Sequence, residues 1–151
     1  MSDARLGRAD IAALIPHQGT MCLLERVVQW DPAGIVCEAV GHRDPAHPLR
    51  SATGLLAPCA IEYAAQAMAV HGALLGRDRG DAPSPGYLAS ARGVSLHRWR
   101  LDDLPGDLRV EALRGAGDAH QVLYGFRVSH DGVCIAEGRA TVVLNTPLED
   151  E

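Results

Sequence analysis

The sequence predicts an α+β domain in which one antiparallel β-sheet curls around a single long helix, and three observations carry that prediction. The segment from about Pro58 to Leu75 is apolar around nearly its whole circumference, which implies burial on most sides. A pair of strand-like segments precedes it, and four strand-like runs bounded by turn residues follow it. A buried helix set between a hairpin and a run of strands has to cover itself with a sheet drawn from both.

The elements follow in order. Arg8 to Ile15 has the pattern of a short helix, broken by Pro16-His17-Gln18-Gly19, since proline and glycine interrupt helices most strongly. His17 is read as fixing that turn through a backbone hydrogen bond. Met21 to Trp30 and Gly34 to His42 read as two strands joined by the turn residues Asp31-Pro32-Ala33-Gly34. Arg43 to Ala57 is a loop rich in proline, glycine and small polar residues, long enough to suggest function. Pro58 then suits a first helical position, and Gly76 offers a left-handed stop.

Small residues such as Ala60, Ala64 and Ala67 let a sheet approach this helix closely. Glu62, Gln66 and His71 disfavour a membrane span, because charged and strongly polar groups are costly in hydrocarbon. After a loop from Arg77 to Gly86, strand-like runs follow at Tyr87 to Trp99, Leu108 to Arg114, Ala119 to Ser129 and Val133 to Leu144. Val122, Tyr124, Phe126 and Val128 alternate with period two, and Asp131-Gly132 is a tight hairpin turn. No internal repeat is visible, and residues 1–151 read as one domain.

Composition narrows the function. The chain has 151 residues, 47% apolar and 22% charged, an ordinary globular balance. A net charge of −5 with scattered basic residues leaves no basic footprint for nucleic acid. Met1 to Asp10 lacks the apolar stretch of a signal peptide, so the cytoplasm is expected. Cys22, Cys37, Cys59 and Cys134 form no C-x-x-C pair and have no histidine at metal-finger spacing. All four are expected to be reduced thiols, and no metal site is expected.

Several segments together resemble the bacterial 3-hydroxyacyl-acyl-carrier-protein (ACP) dehydratases, which are hotdog-fold proteins. They are Ile15-Pro16-His17, Met21 to Val27, His47-Pro48-Leu49, the helix run Ile61-Glu62-Tyr63-Ala64-Ala65-Gln66-Ala67-Met68-Ala69, Leu104 to Leu108, and Ala136 to Ala140. The I-E-Y-x-A-Q-A-M helix start most resembles the branch associated with aryl polyene and related polyketide-like lipid pathways. The resemblance implies an active site made of a loop histidine and a helix glutamate, commonly across a dimer interface, at the positions of His47 and Glu62. It further implies an acyl group carried on phosphopantetheine, as acyl-ACP or acyl-CoA, with no other cofactor. The partner it implies is a second hotdog subunit, in a homodimer or a heterodimer. The pattern departs from that of fatty-acid synthesis in having one more residue between histidine and glutamate and in lacking the H-x-P-G and P-G-V glycines.

The residue types suit the chemistry. Dehydration needs a base for the C2 proton and an acid for the departing hydroxyl. Neutral His47 is the candidate base, and Glu62, with its pKa raised in an apolar tunnel, the candidate acid. His42 competes with His47 as the loop histidine. A carboxylate on an otherwise apolar helix is costly without a partner or a function, which makes Glu62 the strongest single signal.

The Cys59 N–H at the helix start is the expected donor to the thioester oxygen, since Pro58 cannot donate. The Cys59 thiol itself reads as packing. Gln66, four residues after Glu62, shares its helix face and could orient the carboxylate or the thioester. His71 faces away and reads as a core or interface residue. Arg92, Arg98 and Arg100 are candidates for phosphate contacts or plain surface charge, while Asp102-Asp103 and the acidic tail Glu149-Asp150-Glu151 read as solvated. Two other functions compete with the lyase: a hotdog acyl thioesterase, and a non-catalytic acyl-binding or partner subunit of a heteromeric dehydratase.

Overall fold

The computed structural model of the chain describes residues 5–15, 19–80, 86–118 and 120–144. Along the chain run β1 (Leu6–Gly7), α1 (Arg8–Leu14), β2 (Arg26–Asp31), β3 (Gly34–Ala39), α2 (Ala60–Asp78), β4 (Gly86–Leu96), β5 (Leu108–Gly117), β6 (Gln121–His130) and β7 (Val133–Leu144), with short 3-10 turns at Gly19–Met21, Gly41–Arg43 and Ala57–Cys59. The strands form one seven-stranded sheet in the order β1-β2-β3-β5-β6-β7-β4. Every neighbouring pair is antiparallel. The chain leaves β3, passes through α2 and returns on the far edge as β4, so α2 crosses the concave side of the sheet and the two edges are β1 and β4. The α+β architecture expected from the sequence is the one observed.

The alternating residues of β6 behave as their pattern requires. Val122, Tyr124, Phe126 and Val128 are all buried in the same core as Ala60, Tyr63, Ala64, Ala67, Val70 and Leu74 of α2. Those helix positions repeat at three and four residues and form one stripe. Each large apolar side chain removed from water there contributes about 1.5–3 kcal/mol before entropy is counted. The opposite side of the helix differs from expectation. Ile61, Glu62, Ala65, Ala69, Gly72 and Ala73 are only partly buried in the single chain, so the sheet covers one face of α2 and leaves the other half open.

Several boundaries also moved, each for a local reason. The helix begins at Ala60, after a 3-10 turn containing Pro58, and continues through Gly76 to Asp78. The left-handed stop falls at Gly80, with φ +77°. Residues 22–25, expected in a strand, belong to none: the Leu23 N–H is bonded to the Gln66 side chain, and only the Glu25 N–H reaches the neighbouring strand, at the Glu38 carbonyl 2.8 Å away. The hairpin between β6 and β7 turns at Asp131 and Gly132, both left-handed, with φ +49° and +77°, as the dipeptide implied. The Asp31 turn is tied by its own carboxylate, which accepts the N–H groups of Ala33 and Gly34 at 2.8 and 3.1 Å. His17, Ala119 and Glu149-Asp150-Glu151 lie outside the described residues. No described helix is long and apolar enough to cross a membrane.

Candidate functional site

The loop between β3 and α2 places its histidine against the start of the helix. His47 is 8% exposed, and its Nε2 lies 2.9 Å from the Tyr63 hydroxyl. Its Nδ1 accepts the backbone N–H of Leu49 at 3.1 Å. Burial, followed by the nearby His42, pushes the imidazole pKa below its ordinary value, because an imidazolium loses hydration there. Tyr63 is fully buried, and burial drives its phenol far above the ordinary range. The sequence placed Tyr63 inside the helix motif but gave it no role. A buried tyrosine needs a partner for its hydroxyl, and that requirement was the available signal.

Three ties hold the loop in place. The Cys59 thiol contacts the Leu49 carbonyl at 3.9 Å. The Leu55 carbonyl accepts the Leu101 N–H at 2.8 Å, and the Ala57 N–H donates to Trp99 at 2.9 Å. Asp102 and Arg100 brace the same region, with two contacts of 2.9 Å between them, while Arg100 also donates to the Thr53 carbonyl and Arg50 approaches Asp102 at 3.3 Å. The Asp102 side chain is only 6% exposed, which corrects its reading as a solvated loop residue. Arg98 is engaged with Asp103 through two contacts of 3.0 Å. Of the three arginines considered for phosphate, Arg100 therefore serves the loop, Arg98 pairs locally with Asp103, and Arg92 lies opposite Arg139 across β4 and β7.

Glu62 follows on the partly open face of the helix, adjacent in sequence to the His47 partner Tyr63. The single chain does not seal it in an apolar tunnel. Gln66 is fully buried. Its Oε1 accepts the Leu23 N–H at 2.8 Å, and its Nε2 donates to the Met21 carbonyl at 2.7 Å and, at 3.5 Å, to Glu62 Oε1. The amide therefore clamps residues 21–23 to the helix and touches the carboxylate only at its far reach. A direct contact of this amide with the thioester, expected as one option, would require breaking those backbone bonds.

The expected oxyanion donor also differs. The Cys59 N–H is bonded to the Leu56 carbonyl at 3.0 Å, because Ala57–Cys59 winds as a 3-10 turn and satisfies its own N–H groups. The Cys59 thiol is raised by burial, consistent with packing. His42, the rival loop histidine, is fully buried. Its Nε2 bonds the Leu104 carbonyl at 2.8 Å, and its Nδ1 has no partner among the described residues. His71 is locked in the core between the Tyr124 hydroxyl and the Asp31 carbonyl, both at 2.7 Å.

All four cysteines are free thiols. Burial raises Cys37 to about 12. Among the described residues one group brings three metal-ligand types together: His97, Cys134 and Glu137. A hydrogen-bonded pair between His97 and Glu137 at 3.0 Å and a thiol contact at 3.4 Å account for that grouping.

The chain matches a family model described as ApeP-like, ApeP dehydratase, over residues 9–150. No curated protein matches it. Among solved structures, the dehydratase heterocomplex ApeI:P from Xenorhabdus doucetiae superposes with a TM-score of 0.81 at 24% identity, covering 92% of this chain and 93% of that one. A thioesterase from Staphylococcus aureus, solved as a point mutant, gives 0.58 at 13% identity over 80% and 92%. The PaaI protein of the E. coli phenylacetic acid degradation operon gives 0.56 at 12% identity over 78% and 80%. The structural likenesses establish the hotdog fold, the family match covers almost the whole length, and the chain belongs to the ApeP-like dehydratase family.

Proposed function

We propose that the chain removes water from a 3-hydroxyacyl thioester carried on ACP, giving the trans-2-enoyl thioester, with His47 and Glu62 as the proton-transfer pair. The observation that carries this reading is the hydrogen bond of 2.9 Å between His47 and Tyr63, sixteen residues apart. It ties the loop histidine to the turn of α2 on which Glu62 directly precedes Tyr63. Neutral His47 takes the C2 proton, and the downward shift that burial imposes keeps the ring unprotonated and available as the base near neutral pH. Glu62 protonates the leaving hydroxyl. The chemistry is acid–base elimination, for which no cofactor beyond the phosphopantetheine arm is required.

A second hotdog subunit is part of the proposal. The helix face that carries Glu62, Ala65 and Ala69 is only partly buried in the single chain. The solved ApeI:P relative is a heterocomplex, and β4 is an edge strand able to extend the sheet into a neighbour. Covering that face would exclude water from Glu62.

The test is to incubate a 3-hydroxyacyl-ACP with the purified protein, alone and with any hotdog subunit that copurifies with it, and to follow the intact acyl-carrier mass. Loss of water by wild type, abolished by Glu62→Gln and by His47→Ala, is the expected result. Loss of the acyl group would mean a thioesterase. Dehydration that survives both substitutions in the complex would mean that this chain is the supporting subunit.

A further inference from the structure

His47 is held at both ring nitrogens, and the chemistry of its two partners decides where its proton sits. A backbone N–H can only donate, so the Leu49 N–H at 3.1 Å requires a bare lone pair on Nδ1. A neutral imidazole carries one proton, which must then be on Nε2. At 2.9 Å that Nε2–H donates to the Tyr63 hydroxyl oxygen. Exchanging the ring's nitrogen and carbon positions would set the Leu49 N–H against a C–H and forfeit the first bond. The opposite tautomer would set two N–H groups against each other. Both the ring orientation and the tautomer are thus determined by this pair of contacts.

We propose that Tyr63 is a positioning residue for the dehydration: with the Leu49 N–H it holds His47 as the Nε2–H tautomer, so the substrate proton is taken at Nδ1. This rests on the dehydratase reading and deepens it. The step balances as follows. The C2–H bond breaks and its proton goes to Nδ1, displacing the Leu49 N–H from that lone pair. The bonding pair forms the C2–C3 double bond, and the C3–O bond breaks with protonation of the hydroxyl by Glu62. Imidazolium, carboxylate, water and the enoyl thioester result, and proton return through solvent resets the pair.

Tyr63 acts through the ring. Its oxygen accepts from Nε2–H in both the neutral and the protonated ring, and more strongly from the protonated one. It therefore supports the imidazolium that develops in the transition state, as an orienting acceptor supports a catalytic histidine elsewhere. Removing the hydroxyl lowers the affinity of His47 for its proton. The acid limb of kcat/KM, which rises as His47 loses its proton, then moves to lower pH.

The experiment has two independent readouts on the full chain, with its hotdog partner where the two copurify. The first is the imidazole nitrogen spectrum of uniformly ¹⁵N-labelled wild type, with His47 assigned by its loss in His47→Ala. A proton on Nε2 and a bare Nδ1 above the imidazole pKa are expected, and a proton on Nδ1 would overturn the proposal whether or not the protein is a dehydratase. The second is Tyr63→Phe, which keeps the ring volume. At least a tenfold fall in kcat is expected, with KM within about twofold and the acid limb displaced to lower pH. Unchanged kcat with an unmoved limb would overturn the positioning role. Failure of wild type to dehydrate would count against the dehydratase reading alone, and the nitrogen spectrum would still decide the tautomer.

Discussion

Replacing Gln66 with alanine separates a structural amide from a substrate-binding one, and its cost can be worked from the contacts. The substitution removes two short hydrogen bonds, to the Leu23 N–H at 2.8 Å and the Met21 carbonyl at 2.7 Å. Each such bond contributes about 1 kcal/mol net. The two orphaned groups are not equivalent. Met21 is 38% exposed, so its carbonyl recovers a bond to water, whereas Leu23 is 5% exposed and its N–H stays buried, adding about 1 kcal/mol or more for desolvation. The total is about 3 kcal/mol before any cavity is counted, and in a chain of this size that lowers Tm by about 6–12 °C. Thermal unfolding followed by far-UV circular dichroism measures it. Gln66→Glu serves as a control with a similar loss, since a carboxylate would face the Met21 carbonyl with a second acceptor. A Tm within about 2 °C of wild type, together with lost turnover, would refute the clamp and return Gln66 to the substrate.

Two further outcomes follow from other parts of the fold. Burial is the largest cause holding His42, His47 and His71 below their ordinary value of 6.5, so below that pH the unfolded chain binds protons that the folded chain resists. Stability is therefore full above about 6.5 and declines as pH falls, by at most about 4 kcal/mol per pH unit for three histidines together. Urea midpoints at pH 7.5 and 5.5 measure this, and equal midpoints would sink the assignment. Gly54 sits at φ +109°, where an added Cβ would lie 2.7 Å from Asp102 Oδ2 and against the Arg100 guanidinium. Gly54→Ala is expected to cost about 1–3 kcal/mol and to loosen the brace behind the His47 loop, read as a lower urea midpoint. A midpoint equal to wild type would show that the brace can shift freely.

The curled sheet and the central helix were legible in the sequence because they depend on local periodicity, Glu62 stood out by the expense of a carboxylate in an apolar helix, and His47 was singled out by the family resemblance. The alternation in β6 and the Asp131-Gly132 turn are properties of neighbouring residues, so they survived folding unchanged. The strand that never formed at residues 22–25 was not legible. At Leu23 the backbone N–H bonds a side chain 43 positions away instead of a neighbouring strand, and no local pattern encodes that choice. The same holds for the Cys59 N–H, whose engagement depends on how tightly the turn at Pro58 winds, and for Asp102, which becomes buried only when Arg50 and Arg100 converge on it.

The sequence by itself determined that a histidine and a glutamate would be available in a hotdog frame, since those are matters of residue identity, spacing and family pattern. Only the tertiary structure decided which face of α2 remains open, which loop histidine meets the helix, and which nitrogen of His47 carries the proton. Each of those depends on contacts between segments distant along the chain, and a hydrogen bond exists only where folding brings a donor within about 3 Å of an acceptor.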